Sequence, residues 1–523
     1  MSTAETTSRP TDRVEEPLDA LGDSVVTHHS IHSVAGTLAY TATAGRMVIR
    51  EEAFENGAFQ GNRPRAHVFV SSYVLEAPED ERDARPVTFV FNGGPGSPTV
   101  WLQFGLLGPH LIRTGDVGAP VPPPYGLDEN AESLLIDSDL VFIDPMTTGF
   151  SRAAVGTDPT PFHGYSGDRD LVSEAIRLWT TQNERWLSPK FIAGESYGTT
   201  RAAAIVARLL RRYGMSFNGV ILLSSILDFR TVFFSEGNDE PFIHFLPTFA
   251  ATAHYHGFHE GRELRELLEE VQEFADTDYR IALARGSRLS SDARSRIAER
   301  IASYTGLSAA FVESADLRVT DQKFFAELLR SRELVTGRLD TRFTMYPGRR
   351  DLSAQAVDPA LEFIYQPYAT AANHYFRAVL GYRTDLGYEL MAGRTEPWSY
   401  REFENASVTS AEDLAAAMRS NPDLKVYLAN GFYDASTPYA AAENVFAHLR
   451  IAPDDFDRII AYYYEAGHMM YVHEPSRIAQ SRHIREFVAW ATGGPRPVVP
   501  STFAFHDVPG RPVELLPITP SHP

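Results

Sequence analysis

The pattern of apolar and polar positions divides the chain into stretches with different periods. From His28 to Arg50, and again from Ala66 to Leu75, small, apolar and polar residues alternate, which predicts antiparallel strands or a hairpin. The next runs are short and almost wholly apolar: Val87-Thr88-Phe89-Val90-Phe91, Leu140-Val141-Phe142-Ile143, Lys190 to Ala193, and Val220-Ile221-Leu222-Leu223. Such runs fit strands buried on both faces of a parallel sheet. Between them, Val172, Ala175, Ile176 and Trp179 fall on one face of a helix expected over 168–186. Ala203, Ile205, Val206, Leu209 and Leu210 repeat at helical spacing further on. Strand and helix in alternation imply a mostly parallel sheet covered on both sides.

The period changes near Arg230. Leu264, Leu267, Leu268 and Val271 share a helix face, as do Ile297, Ile301 and Tyr304, and Phe324, Phe325, Leu328 and Leu329. Residues 230–393 are therefore expected to form a helical insertion that caps the sheet. Alternation resumes over 394–493, with a helix starting near Ser410, strands at Lys425 to Ala429 and Arg458 to Tyr464, and a last helix carrying Ile478, Ile484, Phe487 and Val488. The sheet-bearing core is thus expected in two parts, 26–229 and 394–493. Residues 1–25 are polar and acidic and read as a disordered tail; the Pro-rich 494–523 reads as an extended segment.

Composition narrows the function classes. The 523 residues are 43% apolar and 22% charged, enough for a large core. Lys and Arg number 48 against 68 Asp and Glu, a formal charge of −20, which argues against a nucleic-acid partner. With no cysteine there is no disulfide, no thiolate metal site and no Cys nucleophile. An oxidising compartment is not required, and a cytoplasmic location is expected. The N-terminus lacks the basic start and apolar core of a secretory signal, and no apolar run approaches the ~18–20 residues of a membrane span, so no membrane partner is expected. His254, His256 and His259 match no standard ligand spacing; no metal and no cofactor are expected. A homodimer is compatible with the sequence.

The candidate chemistry lies where strands end. Phe191-Ile192-Ala193 runs into Gly194-Glu195-Ser196-Tyr197-Gly198 and then a helix, the strand–turn–helix setting of a G-x-S-x-G elbow that thrusts Ser196 into the open. Strand Lys425 to Ala429 ends in Asn430-Gly431-Phe432-Tyr433-Asp434, and strand Arg458 to Tyr464 in Glu465-Ala466-Gly467-His468. A parallel sheet brings such ends to one rim. Ser196, Asp434 and His468 then follow the chain order of an α/β-hydrolase triad. The hydroxyl needs the imidazole to take its proton, and the imidazole needs the carboxylate to fix its tautomer. Strand 86–91 ends in Asn92-Gly93-Gly94-Pro95-Gly96-Ser97, a loop with little side-chain bulk. It lacks the Gly-Lys-Ser/Thr of a phosphate loop. Gly93-Gly94 could supply one oxyanion donor, with the Tyr197 N–H as the other.

These residues resemble the serine carboxypeptidase family. The resemblance is carried by Phe91 to Ser97, Gly194 to Gly198, Asn430 to Asp434, Ala466-Gly467-His468-Met469, and Ile143-Asp144-Pro145 with Gly149-Phe150-Ser151. It implies an α/β-hydrolase fold, a mostly parallel central sheet with a helical cap insertion. It further implies a Ser196–Asp434–His468 triad and oxyanion donors at Gly94 and Tyr197. Asn92 and Glu195, with Gly93 of the same loop, would bind the terminal carboxylate of a peptide substrate. The implied reaction is hydrolysis of C-terminal peptide bonds through an acyl-enzyme. An esterase or acyltransferase on the same triad, or an idle binding protein on this fold, are the alternatives. The family has Cys where Ser97 stands, and Glu-Leu-Gly-Pro where this chain has Leu106-Leu107-Gly108-Pro109. Glu195 therefore lacks the second acid that would share its proton, and it has a structural alternative, support of the elbow. Trp101 is read as core or as substrate wall.

Overall fold

The alternating N-terminal stretch becomes three long strands, β1 (Val25–Ser33), β2 (Gly36–Glu55) and β3 (Ala58–Leu75). The structure, a computed structural model, describes residues 23–78, 81–347, 358–391, 393 and 395–499. The sequence reading stops the hairpin at Arg50 and resumes it at Ala66, whereas the ladder continues to Glu55 opposite Ala58. Asn56 and Gly57 close it with φ of 50° and 80°. Asn-Gly suits two consecutive positive φ values, so turn chemistry sets this tip where apolar alternation is weak.

The other strands of the main sheet are β4 (Val87–Phe91), β5 (Asp139–Ile143), β6 (Arg152–Ala153), β7 (Lys190–Glu195), β8 (Gly219–Leu223), β9 (Lys425–Gly431) and β10 (Ile459–Tyr464). Together they form a ten-stranded sheet ordered β1-β2-β3-β5-β4-β7-β8-β9-β10, with the short β6 on β3. From β5 to β10 every pairing along this order is parallel. Its central strands bury both faces in alternation. Val90, Leu140, Phe142, Phe191, Ala193, Ile221 and Tyr427 pack on one side. Phe89, Phe91, Val141, Ile192, Val220, Leu222 and Val426 pack on the other. This is the period of two that continuous apolar runs require when both faces are covered.

The principal helices are α1 (Tyr165–Gln182), α2 (Tyr197–Tyr213), α3 (Glu240–Tyr255), α4 (Leu264–Phe274), α5 (Ser291–Thr305), α6 (Asp321–Glu327), α7 (Pro359–His374), α8 (Ala411–Ser420), α9 (Tyr439–Ala447) and α10 (Glu474–Ala491). The helix expected over 168–186 spans Tyr165–Gln182. Helices α1, α2 and α8 cover one face of the sheet, and α10 with α7 the other.

The segment 230–393 does not pack as one body. Phe242, Phe249, Leu267, Leu268, Ile301, Phe324 and Phe325 build a separate apolar cluster that takes in Tyr197, Phe432, Tyr433 and Tyr439 from the sheet-bearing part. In α7, by contrast, Ile364, Tyr368, Ala371 and Ala372 join the core under the sheet beside Trp101 and Phe104. Trp101 is 4% exposed, with its ring 4.8 Å from that of Tyr368, and is core. Of the expected tail 1–25, residues 1–22 lie outside the described residues and Val25 already opens β1; of the expected extended segment 494–523, residues 500–523 lie outside them. Among the described residues no helix is long and apolar enough to cross a membrane, and no group of three His, Asp or Glu could hold a metal ion.

Candidate active site

Ser196 stands between β7 and α2 with φ 59° and ψ −129°. A non-glycine residue pays ~1–3 kcal/mol for such a backbone. The turn is closed by tight packing of its flanks. A Cβ on Gly194 would meet the Gly198 carbonyl oxygen at 2.1 Å, and one on Gly198 would stand 3.0 Å from the Phe91 oxygen. Backbone hydrogen bonds from Ser196 N to Leu223 O (3.0 Å) and from Thr199 N to Ser196 O (2.8 Å) hold it. From Lys190 to Ala207 every residue is buried except Ser196, which is half-buried.

The Gly-rich loop lies directly against this elbow. A Cβ on Gly93 would stand 2.5 Å from Tyr197 N, 2.7 Å from Glu195 O and 2.9 Å from Ser196 Cβ, so only glycine fits. Gly94 follows with φ 106°. Among the described residues neither the Gly94 nor the Tyr197 backbone N–H donates a hydrogen bond. Tyr197 N also opens α2, where the helix dipole is positive.

Asp434 and His468 meet at the same rim. Asp434 is fully buried and accepts four hydrogen bonds. Ser436 N (2.7 Å) and Thr437 N (2.9 Å) donate to Oδ1; Thr437 Oγ1 (2.7 Å) and His468 Nδ1 (2.8 Å) donate to Oδ2. This engages Nδ1 and leaves Nε2 for proton exchange. Burial disfavours the charged imidazole, but the Asp434 carboxylate and its hydrogen bond outweigh that, and the His468 pKa is raised. His468 is tied to the elbow through one dipeptide. Ser196 N donates to Leu223 O, and Ser224 Oγ donates to His468 O at 2.6 Å.

Glu195 is 4% exposed. Burial pushes its carboxyl up to about 7, against the His468 charge, a hydrogen bond from Tyr471 and the Asn92 amide, which favour ionisation. The Tyr471 hydroxyl donates to Glu195 Oε2 at 2.7 Å. Asn92 is fully buried, with Oδ1 accepting from Leu102 N at 3.1 Å. Its Nδ2 has no hydrogen-bond partner among the described residues. Leu106 is fully buried, and the Tyr471 ring and Tyr368 hydroxyl fill the space at Gly105, where a Cβ would meet them at 2.4 and 2.6 Å. A phenol from beyond His468 thus occupies the surroundings of Glu195 that the sequence left without a second acid.

Three features lie outside the strand-end motifs. Tyr471 is one. The second is a buried ion pair, Arg201 Nε to Asp168 Oδ2 at 2.6 Å, whose guanidinium also donates from NH1 to Asn92 O at 2.5 Å. Arg201 is the one charged residue between Tyr197 and Ala207, a signal the sequence did carry. The third is residues 338–341, far from either loop in sequence. Leu339 O accepts from His468 N (2.6 Å), Arg338 O from Ala435 N (3.1 Å), and Thr341 N donates to Tyr433 O (3.0 Å).

No curated protein sequence matches. Among solved structures, a prohormone-processing carboxypeptidase from Saccharomyces cerevisiae is similar in fold, with TM-score 0.51 and 14% identity over 86% of this chain and 91% of that one. A proline iminopeptidase from Mycobacterium smegmatis aligns at TM-score 0.37 and 12% identity, over 85% of this chain and 99% of that one. The fold is that of the α/β-hydrolases. Residues 64–320 match the family model described as serine carboxypeptidase, a span that holds the Gly-rich loop and Ser196 and ends before Asp434 and His468. Residues 64–320 thus form a domain of the serine carboxypeptidase type, and the protein is a serine hydrolase.

Proposed function

We propose that the protein is a serine-type carboxypeptidase that works through Ser196, His468 and Asp434. The observation that carries the reading is the 2.8 Å bond from His468 Nδ1 to a fully buried Asp434, with His468 tied through Leu223-Ser224 to the elbow that carries Ser196. Ser196 Oγ attacks the scissile carbonyl carbon as its proton passes to His468 Nε2. The resulting oxyanion takes hydrogen bonds from the Gly94 and Tyr197 N–H groups. The C–N bond breaks as Nε2 returns the proton to the leaving amine. Water then attacks the acyl ester, its proton goes to His468, and Ser196 is released with the acid product. Asp434 keeps the imidazole in the Nδ1–H tautomer and stabilises its charged form. With no cysteine to oxidise, the chain is compatible with a cytoplasmic setting.

The test is a peptide series with free or amidated C-termini, assayed with Ser196→Ala as control. Loss of single residues from free peptides alone is expected. Turnover of an aryl ester without any peptide cleavage would instead favour the esterase or acyltransferase reading, for which the replacement of a second acid by Leu106 and Tyr471 speaks. Failure of a fluorophosphonate to label Ser196 would leave an idle binding protein.

Glu195 gives this reading a pH signature. A substrate carboxylate is ionised above its pKa of about 3.5, so Glu195 must be protonated to donate to it. Burial holds the Glu195 pKa at about 7, so binding weakens as pH rises through that region. His468 must be neutral to act as base, and the Glu195 charge raises its pKa. The productive microstate therefore carries one proton on the pair, on Glu195. Glu195→Gln donates at every pH. Its kcat/KM profile for free peptides is expected to lose the alkaline limb, while the acid limb, where Glu195 is already protonated and neutral, does not move to lower pH. An unchanged profile would remove Glu195 from substrate binding.

A further inference from the structure

Arg338 is an exposed cation fixed at the lip of the candidate site. Its NH1 donates to Ser436 Oγ at 2.5 Å, two residues beyond Asp434. Its main chain is pinned from several sides. Asp358 Oδ2 accepts from Arg338 N (3.1 Å) and Leu339 N (2.9 Å), and the Arg338 and Leu339 carbonyls accept from Ala435 N and His468 N. The guanidinium therefore projects from a segment tied to both the acid and the base loop. Among the described residues it makes no ion pair. Asp358 accepts from backbone N–H groups instead, and Asp340, two residues on, is taken by Arg342 (2.6 Å). Asp321 feels the Arg338 charge without contacting it.

This placement works against the base. A cation near His468 disfavours the imidazolium that forms when Ser196 gives up its proton, and the Arg338 charge does lower the His468 pKa. The Asp434 carboxylate at the rim repels an anionic substrate, and so does Glu195 once it ionises. Arg338 is an exposed cation tied to this rim and would attract one.

We propose that Arg338 is a specificity-determining residue that binds a carboxylate of the substrate, either the C-terminal carboxylate or an acidic side chain on the acyl side of the scissile bond. The proposal rests on the hydrolase reading of Ser196, not on its peptidase form. A guanidinium and a carboxylate form a charge-assisted, often bidentate pair, and the planar fork is what distinguishes Arg from Lys in this role.

The test compares substrate pairs within each enzyme, so that a general loss of folding or reactivity cancels. One arm sets free against amidated C-termini. The other sets Glu against Gln on the acyl side, in peptides and in aryl esters, so that it can be read even if no peptide is cleaved. In the unaltered enzyme the anionic member is expected to lead in one arm. Arg338→Met should collapse that preference about 10–100-fold, the range of a charge-assisted hydrogen bond, through KM more than kcat. Arg338→Lys should restore part of it, and Arg338→Glu should invert it toward Lys-bearing substrates. The arm that responds identifies the source of the carboxylate. Preferences that stay the same in all variants, or fall equally for anionic and neutral members, would overturn the proposal. Absence of all peptide cleavage by an enzyme whose Ser196 is labelled would instead defeat the peptidase reading and leave the ester arm to decide this one.

Discussion

Asp434→Asn is expected to lower kcat by about 10⁴-fold while leaving the fold in place. The direction follows from which atoms are already engaged. Ser436 N and Thr437 N both donate to Oδ1, so an Asn at this position keeps its carbonyl oxygen there. Its NH2 group must then stand where Oδ2 stands, facing Thr437 Oγ1 and His468 Nδ1. Thr437 can turn its hydroxyl to accept. His468 can only accept at Nδ1, which moves its proton to Nε2, the nitrogen that must take the Ser196 proton. The carboxylate that raises the imidazole pKa is lost as well, so the His468 titration should fall below its position in the unaltered enzyme. Single-turnover kinetics and the imidazole NMR titration check both parts. A loss under tenfold would mean that the base is oriented by something other than Asp434.

The four strand-end motifs were readable because their constraints are local. Gly93, Gly194 and Gly198 each face backbone or Cβ atoms within about 3 Å, so the sequence must hold glycine wherever the elbow and its loop touch. The continuous apolar strands were readable because the sheet buries them on both faces. What escaped depends on pairs far apart in sequence. Tyr471 and Glu195 are 276 residues apart, Arg338 and Ser436 are 98, and Arg201 and Asp168 are 33. No periodicity encodes such pairs. Helix α7 escaped for a related reason. Its apolar face is that of any amphipathic helix, and only packing decides whether it meets the cap cluster or the sheet.

The buried Arg201–Asp168 pair carries the second large effect. Both side chains are at most 2% exposed, and the guanidinium lies between the Phe91 and Tyr197 rings, 5.3 and 5.2 Å from their centres. It joins α1, α2 and the Asn92 carbonyl, and so holds the Gly-rich loop against the elbow. Burial already raises the Asp168 pKa despite the neighbouring guanidinium. Asp168→Ala strands that guanidinium, and a loss of about 3–5 kcal/mol is expected in urea unfolding. Arg201→Met leaves a carboxyl that can protonate, so its loss should be smaller. The double variant Asp168→Leu/Arg201→Met removes both charges and should regain most of the stability, since an apolar pair of similar volume often replaces a buried ion pair without cost. Activity separates the two roles. The double variant has no donor for the Asn92 carbonyl, so the Gly94 N–H is no longer held at its place beside Tyr197 N. Misplacing one oxyanion donor costs about 10²–10³ in kcat. A stable double variant with kcat still depressed and KM little changed would identify the pair as a brace for the oxyanion loop. Recovery of kcat together with stability would reduce it to a structural element.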